Sequence, residues 1–231
     1  MIVFDGVDIR SVADVMIEDI RVNPVEISPV TRARAIPPGS EYVRTRYGTR
    51  TVSVTFALMT EDINVRQAAL MAIAAWAKSD AEYKLKLPGY AGYLQAVCTK
   101  LPEPSMRQWW ESKLRLVFTC ITDPFWIDEQ EHSVACGTAF RVLGDAPPLM
   151  RIERTLSAAA SNQVYSKGGN SMTFSTIPAG HLVIDLNRQT AQVGNTSIMQ
   201  YYNPNSRFIV PTTGTQTITG TGTVKYQERW L

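Results

Sequence analysis

The hydrophobic pattern is most regular around residues 110–120. Trp110, Leu114, Leu116, Phe118 and Cys120 fall on one side of a period of two, and Glu111, Lys113, Arg115 and Thr119 on the other. That alternation predicts a half-buried strand. Asp123-Pro124 ends it, because proline has no N–H to give a ladder and pushes its predecessor toward extended or turn geometry. Phe125 and Trp126 follow, then an acidic run of Asp128, Glu129 and Glu131. Arg50–Leu58 repeats the pattern, with Val52, Val54, Phe56 and Leu58 alternating against Thr51, Ser53, Thr55 and Ala57.

Shorter runs complete the first half. Ile2–Phe4 is a strand turned by Asp5-Gly6. Val15–Val22 and Val25–Ile27 are β-rich pieces interrupted by Asn23-Pro24 and Ser28-Pro29. Ala81–Leu87 alternates, turns at Pro88-Gly89 and returns as Tyr93–Thr99. A helix is expected from Thr60 as N-cap to about Ser79, with Glu61 and Asp62 where the helix dipole favours negative charge. Its buried stripe is Ile63, Leu70, Ile73 and Ala77, with Trp76 beside it; Met71 and Trp76 read as core packing rather than a ligand pocket. One helix on a largely antiparallel sheet makes this half α+β.

Thr31–Arg50 differs in kind. It carries Arg32, Arg34, Arg44, Arg46 and Arg50 against the single acid Glu41, with Pro37-Pro38-Gly39 in the middle. It is too long and too polar for a hairpin turn, so a projecting loop is expected. Such a loop is either a solvated basic surface or an arm that grips a neighbouring subunit or an acidic partner, where the arginine fork suits carboxylates. Nucleic acid fits less well, since Tyr42 and Tyr47 alone are there to stack on bases.

After Asp128 no helix is expected. The strands read as Leu149–Leu156, Gln163–Tyr165, Ser171–Ser175, His181–Leu186, Thr190–Val193, Ser206–Val210, Gln216–Thr219 and Thr223–Trp230, separated by Gly, Asn, Ser and Thr turns. Their spacing points to an all-β sandwich. Two domains follow, 1–130 and 131–231, with the boundary near residues 129–136.

With 231 residues, 45% of them hydrophobic and 19% charged, the chain can bury a core. A net charge of +2 gives no argument for nucleic acid. Cys98, Cys120 and Cys136 have no metal spacing and read as reduced core residues of a protein made in a cytoplasm. No signal peptide and no membrane-spanning run is recognised, so a soluble protein is expected.

The same residues offer no catalytic constellation. His132 and His181 have no nucleophile partner in a G-x-S-x-G setting, and no metal-ligand spacing occurs. Glu18-Asp19, Glu61-Asp62 and Asp128-Glu129 are adjacent pairs, whose side chains face opposite ways in a strand. Gly220-Thr221-Gly222 follows no βα pattern and is not a phosphate loop. The expectation is a non-catalytic chain without metal or cofactor. A cell-wall hydrolase, which needs a carboxylate pair across a cleft, ranks last.

The strand ending Phe-Thr-Cys-x-x-Asp-Pro-Phe-Trp resembles the end of the N-terminal domain of distal tail proteins of long-tailed, non-contractile phages, the Dit family. The opening Phe4-Asp5-Gly6-Val7, the Gly48-Thr49-Arg50 entry to a strand and the helix carrying Trp76 match in order. So do His-Leu-Val-Ile-Asp-Leu-Asn-Arg-Gln-Thr-Ala-Gln-Val-Gly (181–194) as a hairpin turning at Asp185–Gln189, then Tyr201-Tyr202, Phe208-Ile209-Val210-Pro211, Tyr226 and Trp230. The resemblance covers nearly the whole chain. It implies an α+β N-terminal domain followed by a galectin-like sandwich. It further implies a structural virion protein at the tail tip, made in the bacterial host cytoplasm. Six copies would form a homohexameric ring, the N-terminal domains building it around a DNA channel and the sandwiches pointing outward. Its partners would be the major tail tube protein and the tail-tip, lysin or baseplate proteins, with DNA only passing through and no membrane contact. Arg32, Arg34, Arg44, Arg46 and Arg50 are the subunit-interface candidates. A galectin-like domain also invites sugar binding, which would make the chain an adhesin module. Asn203-Pro204-Asn205-Ser206-Arg207 partly echoes the galectin Asn-Pro-x-x-x-Arg strand, and Tyr201, Tyr202, Asn203 and Arg207 are the candidates. The partner Trp-Gly-x-Glu is absent from the sequence, and a turn rich in Asn and Pro explains the echo equally well.

Overall fold

In a computed structural model, residues 1–34, 39–60, 62–102 and 114–231 are described, the side chains of 33, 34 and 39–42 excepted. The chain is mostly β and divides into two compact units: Met1–Trp126 with Leu231, and Ile127–Trp230. Among the described residues no helix is long and apolar enough to cross a membrane.

The first unit is built on β6 (Arg50–Leu58) and β9 (Leu114–Cys120), paired antiparallel from Arg50 opposite Cys120 to Phe56 opposite Leu114. The alternation in both strands delivers Val52, Val54, Phe56, Leu116 and Phe118 to complete burial. Around them a seven-stranded antiparallel sheet runs β2 (Val7–Asp8), β1 (Val3–Phe4), β7 (Tyr83–Lys86), β8 (Leu94–Lys100), β9, β6, β3 (Val15–Val22). Asp5 and Gly6 both take positive φ, 50° and 78°, which the tight turn between β1 and β2 requires. The residues expected at 110–113 lie outside the described ones.

Helix α2 (Ile63–Ala77) begins later than expected: Asp62, not Thr60, is the N-cap, its Oδ1 accepting from the N–H groups of Asn64 and Val65 at 2.8 and 3.3 Å. The helix ends at Ala77 rather than Ser79. Glu61 lies outside the described residues. Ile73 and Ala77 are buried as expected, but Ile63 is 63% exposed and Met71 74%, so the apolar stripe covers only the last turns. Trp76 seats the helix: Nε1 donates to the Val7 carbonyl at 3.0 Å, and its ring meets Phe4 and Phe118 edge-on. A second helix, α1 (Ile9–Val12), was not expected; it is a single turn capped by Asp8.

The largest departure is Thr31–Arg50. It is no loop but most of a β-ribbon, β4 (Ile27–Arg34) with β5 (Gly39–Tyr47), in register from Ile27 opposite Tyr47 to Arg34 opposite Gly39. Residues 35–38 lie outside the described ones. Val25 and Glu26 are irregular, and Ser28-Pro29 lies inside β4 instead of breaking it. A two-stranded ribbon tolerates this proline, because each strand has an edge where no N–H is needed.

Beyond the two-residue strand β10 (Trp126–Ile127) lies the second unit. Its main sheet runs β20 (Thr223–Trp230), β13 (Ala146–Leu156), β16 (Gly180–Asp185), β17 (Thr190–Val193), β18 (Thr196–Ser197), with β11 (His132–Ala135) on the other side of β20. A register shift between Ala146 and Leu149 absorbs Pro147-Pro148 as a bulge. Two ribbons complete it, β12 (Ala139–Val142) with β19 (Gly214–Thr217) and β14 (Ala160–Lys167) with β15 (Asn170–Ile177). Their inward residues, including Phe140, Tyr165, Met172 and Phe174, share one core with Ile152, Leu182, Ile184 and Val224 of the main sheet. The hairpin over 181–194 turns at 186–189. Residues 206–210, expected as a strand, are irregular, because their polar groups are spent locally and on β15: Ser206 N–H on Asn203 and Arg207 N–H on Ser171.

Candidate functional site

The interface candidates separate into two environments. Pairing of Val30 with Arg44 and Ser28 with Arg46 puts Arg44 and Arg46 on one face of the ribbon. Arg32, two residues beyond Val30, extends the same face, since the register shift between Val30 and Thr31 inserts its extra residue on β5. Arg32, Arg44 and Arg46 are all exposed. Arg34 closes β4 opposite Gly39, and its side chain is not among those described. The opposite face of the ribbon is more apolar: Ile27, Pro29 and Tyr47 lie there, and the Tyr47 ring meets Phe125 edge-on at 5.0 Å.

Arg50 does not belong with them. As the first residue of β6 its backbone pairs with Cys120, and its side chain is only 4% exposed. Nε and Nη1 of its guanidinium have no hydrogen-bond partner among the described residues. Burial draws the Arg50 guanidinium below its ordinary value, against smaller upward influences from Cys120 and Tyr90. The side chain lines a cavity of about 350 Å³ whose wall includes the stacked rings of Tyr90 and Trp126, 4.4 Å apart and 8° from parallel, with Leu231 at the same cavity. Proximity in the sequence groups Arg50 with the ribbon; its place as the first residue of an alternating strand is the signal for burial.

The sugar candidates are gathered in one turn of the second unit. Tyr202 is half-buried, its ring packed on Phe174 at 5.7 Å and Phe208 at 4.9 Å, and its hydroxyl donates to the Ser206 carbonyl at 2.8 Å. The Asn203 side chain accepts from the Asn205 N–H at 3.0 Å, and the Asn203 N–H donates to the Thr173 carbonyl. Tyr201 is half-buried against the same core, with its carbonyl accepting from Ser175 Oγ. Asn203 and Arg207 are exposed, the two tyrosines half-buried. These groups hold a turn against β15.

The acidic run is likewise engaged. Glu131 bridges Arg151 at 2.6 Å and Lys225 at 3.7 Å, and Glu153 bridges the same two cations at 2.6 and 2.9 Å. Burial raises the Glu153 carboxyl, but the bonds from Arg151 and Lys225 outweigh it and hold the group below its ordinary value. His132 stacks on Tyr226 at 4.9 Å, and His181 Nδ1 lies 3.5 Å from Thr155 Oγ1. Among the described residues no group of three His, Cys, Asp or Glu could hold a metal ion.

No protein-family model matches the chain, and no curated protein matches it in sequence. Its fold does match solved structures. The crystal structure of the SPP1 Dit (gp 19.1) protein, described as a paradigm of hub adsorption apparatus in Gram-positive infecting phages, superposes with a TM-score of 0.76 at 14% identity, covering 100% of this chain and 98% of that one. The phage p2 baseplate in its activated conformation, with Sr and with Ca, gives TM-scores of 0.49 and 0.48 at 8% identity, over 94% of this chain and 91% of the other.

Proposed function

We propose that this chain is a structural hub subunit at the distal end of a phage tail, of α+β and galectin-like make-up. On this reading it forms a hexameric ring that joins the tail tube to the tip or baseplate proteins and leaves a channel for DNA. The observation that carries the reading is the likeness over the full length of both chains to a Dit hub protein. The ring is closed by heterologous contacts, in which one patch of a subunit meets a different patch of the next. The first unit offers surfaces suited to that. The ribbon presents Arg32, Arg44 and Arg46 on one face. Helix α2 leaves Ile63, Val65 and Met71 exposed, apolar area that a neighbouring copy can cover. Strand β3 is the last in the order of the seven-stranded sheet, pairing with β6 alone among the described strands. The work of the protein is mechanical: symmetric assembly and docking, without turnover.

The test is co-assembly. Tubes polymerised from the tail tube protein of the same source should acquire this chain at one end only, seen as a terminal cap in negative stain. Decoration along the tube wall, or bare ends at saturating chain, contradicts a terminal hub.

A further inference from the structure

Arg50 holds two buried guanidinium nitrogens without a hydrogen-bond partner among the described residues. Nε carries one N–H and Nη1 two, and none of the three has an acceptor among the described residues although the residue is almost fully buried. Native proteins partner such groups, since an unpaired buried charge is costly. The carboxylates that act on the facing Cys120 have partners of their own: Glu82 Oε1 accepts from the N–H groups of Ile121 and Thr122 at 2.6 and 3.0 Å, and Asp123 Oδ1 accepts from Phe125 at 3.2 Å. Cys120, opposite Arg50 in the ladder, is pushed by burial to about 12 and stays a neutral thiol.

The cavity beside this cation has the complementary chemistry. Val22, Val25 and Ile27 give it aliphatic walls, and the Tyr90–Trp126 stack gives it a flat aromatic one. Its volume of about 350 Å³ lies at the small end of ligand pockets. Arg50 is the one charged side chain of the lining and selects an anion, its planar guanidinium suits a planar carboxylate, and the largely apolar remainder of the wall selects an apolar body.

We propose that this cavity is a binding site for a carboxylate carried on a small apolar or aromatic body, held by Arg50 against the Tyr90–Trp126 wall. The inference stands on the cavity and the orphan donors, independently of the hub reading. The carboxylate belongs either to a free organic acid or to an acidic side chain of a second copy, and the experiment separates these two sources.

The test uses the full chain, with benzoate as probe and benzamide as its neutral isostere, titrated by calorimetry. Benzoate should bind at least about tenfold tighter than benzamide, a difference that the charge alone supplies. Arg50→Met should remove that preference while leaving benzamide binding in place. Removing an unpaired buried charge should also leave its thermal midpoint no lower than that of the parent chain. Should Arg50→Met fail to fold, Tyr90→Ala at an exposed wall position serves instead, weakening both probes while keeping their ratio. If benzoate binding also dissociates a self-associated species, the natural carboxylate comes from a second copy; if the mass in solution is unchanged, it is a free acid. Equal affinity for the two probes, no heat from benzoate, or an unchanged benzoate affinity in Arg50→Met overturns the proposal.

Discussion

Arg50 stands directly opposite Cys120 in the ladder between β6 and β9, and both side chains are buried. A cation and a thiol thus share the end of the first unit's central strand pair. Burial dominates the thiol, pushing it to about 12 despite the opposing pull of Arg50.

That relationship has a pH consequence. A thiol with its folded value raised above the unfolded one keeps its proton in the folded state and loses it in the unfolded state. Its contribution to stability is therefore complete below about pH 9 and lost progressively as pH rises from there toward 12. Urea unfolding at several alkaline pH values should show stability falling over that window, and Cys120→Val should make the fall shallower. An identical slope in the variant contradicts the assignment.

The same burial makes Cys120 slow to react. In the native chain at pH 8, iodoacetamide should modify the half-buried Cys98 and Cys136 before Cys120, and all three should react in denaturant. Peptide mass mapping reads this directly; Cys120 labelled first contradicts the packing described for β9.

At the start of α2 the cap is Asp62. Asp62→Ala should cost about 1 kcal/mol in urea unfolding, the usual cost of losing a side-chain acceptor at a helix N-terminus. Thr60→Ala should leave stability within about 0.5 kcal/mol, as for a surface change that removes no such contact. The reverse order contradicts the placement of the helix start.

In the second unit Tyr202→Phe deletes one hydroxyl and its bond to the Ser206 carbonyl, and should cost about 1 kcal/mol. An unchanged midpoint contradicts the view that this tyrosine holds the turn at residues 203–206.

Much of the fold was legible because alternation is a local signal. Val15–Val22, Arg50–Leu58, Leu114–Cys120, Thr190–Val193 and Thr223–Trp230 run as the pattern implied. The ribbon was not legible. Pro29, Pro37, Pro38 and the arginines hide its alternation, and an exposed two-stranded element has no buried face to impose one. The helix start was ambiguous because Thr60 and Asp62 are both good caps, and geometry alone decides which oxygen reaches the free N–H groups. The candidate site was legible least. The exposed arginines were recognised by charge, but the cavity at Arg50 is assembled from segments distant in sequence, Val22–Ile27, Tyr90 and Trp126, which meet only after folding. The sugar candidates were recognised by type, and packing of Tyr202 on Phe174 and Phe208 could not be read from their order in the chain.

Charge on the ribbon tests the arm. Arg44→Glu/Arg46→Glu lies at exposed positions and should leave monomer stability within about 0.5 kcal/mol. It should nonetheless abolish assembly, as judged by sedimentation. Undiminished assembly would remove the ribbon from the interface.

The central claim is a closed ring, and the most direct measurement is the mass of the purified chain in solution with negative-stain images of any large species. The account predicts a particle of about six times the chain's 25.7 kDa, imaged as a six-fold ring with an open centre. A chain that stays monomeric at high concentration and also when mixed with its tail tube, or that builds open filaments instead of rings, contradicts it.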